Sequence, residues 1–381
     1  MCGRVHFFSS SFTNGGAAIA AFRIFNILNI KNQCIIYTKD NLLSGGLGKT
    51  NKIICKFNSF IGRMEGALLT LIYGKENVFS LNIFSIPYLL NLNKGDRLII
   101  NWVGHGFLSL FQILFIRKAK ITIILHDLWF INPLAHLPFR QNISSFLLYN
   151  LSRWVKKRIS NKKNVQYIAT SQKMMNYAIN FNQKIKIKKI RLPIPSFESY
   201  INHCQGKTTN TINIGFFSSS PSSDPNKGYE DFIKLFKSFK DSDRLKIKWH
   251  CVTNDKSIPS DLTIHDIEWS ALLPEKYFIN KLNDLDVILC FSKFESFGQV
   301  WYEALTLGVY LIVVNENAVA EAIVSPIQGK VFSKYDVSTL RNFILNLIDN
   351  NSISENSRML ISEIAKTENA KAESLWLDGL L

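Results

Sequence analysis

Two carboxylates with seven residues between them carry the clearest chemistry of the chain. Glu295 stands in a turn, Glu303 on the helical pattern that follows, and Ser296-Phe-Gly-Gln-Val300 runs between them. Such a turn can hold an anionic group against the backbone N–H groups of Gly298, Gln299 and Val300, because a helix N-terminus presents unsatisfied donors. Glu295 and Glu303 would then flank the anion and accept from hydroxyl groups. A nucleotide sugar offers that arrangement, with sugar hydroxyls, a diphosphate and ribose hydroxyls in order. The spacing alone fits equally an ordinary strand–turn–helix unit whose glutamates are merely solvated.

The elements that would position this pair are legible around it. Val287–Phe291 is a short continuous apolar run, as in strands buried on both faces of a parallel sheet, and Gly308 ends the helical pattern in which Val300, Trp301, Ala304 and Leu305 share one side. In open α/β sheets ligands sit beyond the carboxyl ends of the strands, which is where Glu295 falls.

The run Glu295-Ser-Phe-Gly-Gln-Val-Trp-Tyr-Glu303-Ala-Leu resembles the E-x7-E signature of retaining glycosyltransferases of family 4. The resemblance implies an α/β chain of the GT-B fold, two Rossmann-like domains facing each other across a cleft. It also implies a nucleotide-sugar donor, UDP- or GDP-linked, with no metal and no other cofactor. Lys227-Gly228 is similar to the family's Lys-Gly, whose lysine meets the donor diphosphate. Relatives add an Arg just after the preceding strand; this chain has Ser and Phe there. The donor-binding set implied is Gly15, Gly16, Lys227, Glu295, Ser296, Phe297, Gly298, Gln299, Val300 and Glu303, with Glu295, His126 and Lys227 closest to the chemistry.

Along the first half, Arg4–Ser9 reads as a strand leading into Gly15-Gly16 and a helix to about Leu28. Gln33–Tyr37 is a second strand, and residues 40–80 give no clear pattern but have room for a loop and a helix. Ile121-Thr-Ile-Ile-Leu is the clearest strand and ends on His126-Asp127. A histidine there can meet a ligand or be a bonded core residue. The stretch from Asn101-Trp102 to Leu128-Trp129 is similar to a subgroup that adds sugars to bacterial surface polysaccharides. There a Gly-Gly-Cys-His follows, matched here by the segment Asn132-Pro-Leu-Ala-His136, which keeps only the histidine. Asp127 and His136 are accordingly expected on the acceptor side.

The domains are expected at 1–197 and 211–369, with a linker at 198–210 and a terminal helix at 370–381 that crosses back. Residues 1–200 hold 27 Lys+Arg against 6 Asp+Glu, while the remainder hold 18 against 23. A basic first half predicts a polyanionic partner, and the anionic face of a membrane suits it. Arg153-Trp-Val-Lys-Lys-Arg158 fits a helix lying on anionic lipid, and Lys184–Arg191 a basic strand. No nucleic-acid-binding signature is present. Without a signal peptide, zinc-type cysteine spacing or a run of roughly 18 apolar residues, the chain is expected in the cytoplasm, peripheral at the inner membrane face. Asp284-Leu-Asp286 precedes its strand and reads as structural. The expected activity is transfer of a sugar to a growing, lipid-linked glycan. A sugar-nucleotide 2-epimerase of the same fold and a non-catalytic binding scaffold are the alternatives.

Overall fold

The computed structural model describes residues 3–13, 15–40, 48–74, 79–138, 146–195, 197, 211–218, 224–253, 267–271, 275–350 and 352–379. The expected linker at 198–210 and the last two residues lie outside them. The chain divides into two compact units, residues 1–193 with 372–381, and residues 194–371.

Unit one is a six-stranded parallel sheet in the order β2-β1-β3-β4-β5-β6, formed by Val5–Phe8 (β1), Cys34–Tyr37 (β2), Arg97–Ile100 (β3), Lys120–Leu125 (β4), Val165–Ala169 (β5) and Ile187–Lys189 (β6). Its helices are Gly16–Asn29 (α1), Lys49–Tyr73 (α2), Leu110–Phe115 (α3), Phe146–Ser160 (α4) and Gln172–Phe181 (α5). β3 and β4 are almost wholly buried, which explains their unbroken apolar runs. The basic strand expected at 184–191 shrinks to the three residues of β6, on the sheet edge.

The unreadable stretch at 40–80 holds the 25-residue α2. Of the basic run expected to lie on lipid, Arg153, Trp154 and Arg158 on α4 are exposed, whereas Lys156 is not. Lys156 is buried, its Nζ donating to the carbonyls of Trp129 (2.5 Å), Asn132 (2.9 Å) and Pro133 (3.0 Å) and lying 4.2 Å from the centre of the Trp129 ring. Burial drives its pKa well below the ordinary lysine value, with only the Asp127 charge opposing.

Unit two repeats the plan, with the order β12-β11-β10-β7-β8-β9, all parallel. Its strands are Ile212–Phe217 (β7), Ile247–Val252 (β8), Ile267–Ser270 (β9), Val287–Cys290 (β10), Tyr310–Val314 (β11) and Gly329–Phe332 (β12). One face is filled by aromatic packing, with Phe216 stacked on Phe232 at 4.7 Å and Trp249 ringed by Phe232, Phe236 and Phe239. In both sheets the strand order reverses once, between β1 and β3 and between β7 and β10, and these are the switch points at which α/β sheets bind ligands.

Asp286 has the structural place expected of it. At the start of β10 it accepts from the Asn213 N–H (2.8 Å) and from Arg358 (3.0 Å). The last helix, Glu355–Gly379, begins in unit two, and its residues from Ala372 count with unit one, where the Trp376 indole donates to the Arg191 carbonyl.

Candidate active site

In unit two the loops after β7 and β10 meet at the switch point. Asp224 caps the 3₁₀ turn Pro225–Lys227 by accepting from the Asn226 N–H at 3.0 Å, and the Lys293 N–H donates to the Asn226 carbonyl at 2.7 Å, joining the loops. Gly228 follows at φ +70, where a Cβ would lie 2.4 Å from the Phe291 carbonyl oxygen. Only glycine permits that turn and that contact. The result is a short reach for the lysine before it. Lys227 Nζ lies 2.8 Å from Glu295 Oε1.

Burial alone would lower the pKa of Lys227; the charge and hydrogen bond of Glu295, with Asp224 behind it, outweigh this and raise it. The lysine is a fixed cation at any ordinary pH.

Glu295 itself leads into Gly298, the N-cap of helix Gln299–Thr306, at φ +84 with no room for a Cβ against Val319 Cγ2. The loop is braced from behind. Asn317 Nδ2 donates to the Ser292 carbonyl at 2.7 Å, and Trp301 Nε1 to that of Leu289 at 3.2 Å. Phe297 is buried and stacked on Tyr302 at 4.1 Å, so its side chain packs inside the turn. Ser296, Gln299 and Val300 are partly exposed, whereas Glu303 is buried. The helix expected to bury one side buries every residue from Trp301 to Thr306.

In unit one Gly15, at φ +90, caps α1, and Gly16 is its first residue. Asn101, at the end of β3, donates through Nδ2 to the Ala17 carbonyl (3.0 Å) and to Ser9 Oγ (3.3 Å), which fixes its Oδ1 toward His126 Nε2 at 2.5 Å. His126 therefore carries its proton on Nε2. Burial pushes its pKa down to about 4, the Asp127 charge opposing, so the ring is neutral.

Asp127 accepts from the Trp102 indole (2.9 Å), the Trp129 N–H (2.9 Å) and His136 Nδ1 (2.6 Å). Burial would raise this carboxyl; the His136 charge and these donors hold it below the usual carboxylate range. His136 Nε2 continues to Ser80 Oγ at 3.1 Å, and that oxygen meets the His105 N–H (3.1 Å) and Nδ1 (3.4 Å). Asp, His and Ser in line resemble a nucleophile triad, but Ser80 is buried and its hydroxyl is already engaged, so the line fixes ring orientations. Burial, with His136 and Lys39, lowers the His105 pKa to about 4 against the pull of Asp127.

The structure thus joins Lys227 with Glu295 in unit two and Asp127 with His136 in unit one, where His126 bonds instead to Asn101. Ser80, His105, Asp224 and Asn317 were not singled out from sequence. His105 alone left a trace there, a histidine between Gly104 and Gly106 just past a strand. Among the described residues no three His, Cys, Asp or Glu side chains are grouped so as to hold a metal ion.

Residues 215–367 match the family described as Glycosyl transferases group 1. That stretch carries Lys227, Glu295 and Glu303. No curated protein matches the chain by sequence. Among solved structures, HepE from Anabaena in complex with UDP-glucose superposes with a TM-score of 0.62 at 14% identity, over 99% of both chains. Sucrose-phosphate synthase from Thermosynechococcus elongatus gives 0.61 at 12%, over 98% of both. WaaG, a glycosyltransferase involved in lipopolysaccharide biosynthesis, gives 0.59 at 12%, over 98% of this chain and all of WaaG. The expected GT-B fold is borne out. So is the enzyme class, a transferase acting in glycosyl transfer.

Proposed function

We propose that the chain is a retaining glycosyltransferase of family 4 type, moving a sugar from a UDP- or GDP-sugar to a lipid-linked glycan. The pathway we assign is that of a bacterial surface polysaccharide, at the cytoplasmic face of the membrane. The observation that carries this reading is the Lys227–Glu295 pair, a cation and a carboxylate held together at the switch point of the unit matched to group 1 glycosyltransferases. HepE, of the same fold, binds UDP-glucose.

The geometry supports a division of labour. Transfer builds negative charge on the leaving diphosphate and positive charge on the anomeric carbon, and preorganised groups aimed at those charges lower the barrier. Lys227 and the N-terminus of helix Gln299–Thr306 serve the diphosphate. Glu295 serves the sugar hydroxyls, and Glu303 those of the ribose. In the free protein Lys227 and Glu295 neutralise each other, so an arriving diphosphate takes the ammonium and releases the carboxylate to the sugar. Binding of one end of the donor then prepares the other. In unit one, the resemblance assigns Gly15, Gly16 and His126 to the donor and Asp127 and His136 to the acceptor. No metal is required, and nucleic acid is not a partner.

The test is incubation of the purified protein with UDP-, GDP- and ADP-sugars, with and without EDTA, following the released sugar by proton NMR. Release from UDP- or GDP-sugars with the donor's own anomeric configuration, at a rate EDTA leaves unchanged, is expected. Release with the opposite configuration would refute retention. A 2-epimeric product would refute transfer.

A further inference from the structure

α2 is built inside out. On its inner face Asn51, Asn58 and Glu65, seven residues apart, bond the backbone of segment 82–89. Asn51 pairs with both backbone groups of Leu89 (2.9 and 3.0 Å), Asn58 with both of Ile86 (2.7 and 2.8 Å), and Glu65 accepts from the N–H groups of Asn82 (2.9 Å) and Phe84 (3.3 Å). The polar ladder faces the protein.

Outward stand Ile53, Phe57, Phe60, Met64, Leu68 and Leu71, each between 46% and 84% exposed. Steps of three and four residues wind these six along one stripe. Phe84 and Leu89, from the pinned segment, are exposed as well. Scattered surface apolar residues need no cause, but a five-turn stripe of large ones marks a contact surface. Lys49, Lys52, Lys56 and Arg63, all exposed, run along one flank of the stripe. The helix's only acid, Glu65, is buried on the opposite face, and residues 79–95 contain no Asp or Glu.

We propose that this face of α2 docks on an anionic lipid surface, the apolar stripe entering the acyl boundary and the four cations meeting the headgroups. The proposal rests on and deepens the membrane part of the function above, assigning it to α2 in addition to the basic run of α4, where Arg153 and Arg158 are exposed and Lys156 is buried. An amphipathic helix with a basic flank has the chemistry of an interfacial helix, and no described helix is long and apolar enough to cross the bilayer. A second copy of the chain is the poorer occupant, since this surface offers its four cations no exposed acid.

The experiment is co-sedimentation of the full chain with phosphatidylcholine vesicles, with and without about 30 mol% phosphatidylglycerol to supply a negative surface potential. Two variants accompany it, Phe57→Ser/Phe60→Ser/Met64→Ser and Lys52→Glu/Lys56→Glu/Arg63→Glu. Thermal melting with and without a UDP-sugar checks the fold and the donor site, neither of which should change. Wild type should bind anionic vesicles about tenfold or more better than neutral ones, and each variant should lose about tenfold or more. Undiminished binding by both variants would overturn the proposal. So would wild type that ignores vesicles but self-associates, with the serine variant monomeric. If wild type binds vesicles as described but answers no nucleotide sugar, the docking surface stands and the donor reading falls.

Discussion

Lys227 Nζ and Glu295 Oε1 lie 2.8 Å apart across 68 positions of chain, and the contact ties the loop after β7 to the loop after β10. Substitution separates their roles. Lys227→Ala should abolish stabilisation by nucleotide diphosphates and lower kcat/KM about 10²–10³-fold, the loss typical of one preorganised donor. Glu295→Gln should keep or tighten UDP or GDP binding, because its lysine no longer has a carboxylate to leave, while transfer falls comparably. Titration calorimetry with the free diphosphate, beside steady-state kinetics, separates the two effects. Equal loss of diphosphate binding in both variants would contradict the exchange.

The two glycines that shape this turn should tolerate nothing else. Gly228→Ala meets the Phe291 carbonyl and Gly298→Ala meets Val319, each at positive φ. Each change should cost about 1–3 kcal/mol from backbone strain alone, with more from the clash, read as a lower urea midpoint.

Stability should fall as the solution is acidified from about pH 6.5 to 4. His126 and His105 are held near 4 in the fold, against about 6.5 in the unfolded chain. Between those values the unfolded chain binds more protons, so acid favours it. The slope is at most about 1.4 kcal/mol per pH unit for each histidine. His126→Gln, which keeps a donor for Asn101, should flatten the urea-measured profile by about one histidine's share. An unchanged profile would contradict the neutral ring.

Lys156→Met should destabilise by about 3 kcal/mol, since it leaves the carbonyls of Trp129, Asn132 and Pro133 without their donor. Because that loop carries Asp127's partner His136, transfer to acceptor should fall more than donor hydrolysis does. Parallel assays of the two reactions check the split.

What could be read from sequence follows the locality of each feature. The β10 unit placed strand, turn, helix and both glutamates within one short stretch, so apolar run, glycine and carboxylate spacing sufficed. Lys227 could be matched beside its glycine, but its contact with Glu295 comes from two loops that only the parallel register of β7 with β10 brings together. Ser80 joins the Asp127–His136 line because residue 79 bridges to 135, a pairing with no local signature. The bounds and facing of α2, within a stretch expected to hold a loop and a helix, are not legible because its pattern is inverted: Asn51, Asn58 and Glu65 face inward and the large apolar residues outward, the opposite of what marks a core-facing helix. In the basic run of α4 the charges look alike in sequence, which does not reveal that Lys156 is caged by carbonyls while Arg153 and Arg158 are exposed.

The most direct measurement is thermal unfolding of wild type and Lys227→Ala with saturating UDP-, GDP- and ADP-sugars, each with and without EDTA. A rise in Tm with UDP- or GDP-sugars, the same in EDTA and absent in Lys227→Ala, is the predicted result. A rise that survives in Lys227→Ala would contradict the account, and so would no rise with any nucleotide sugar.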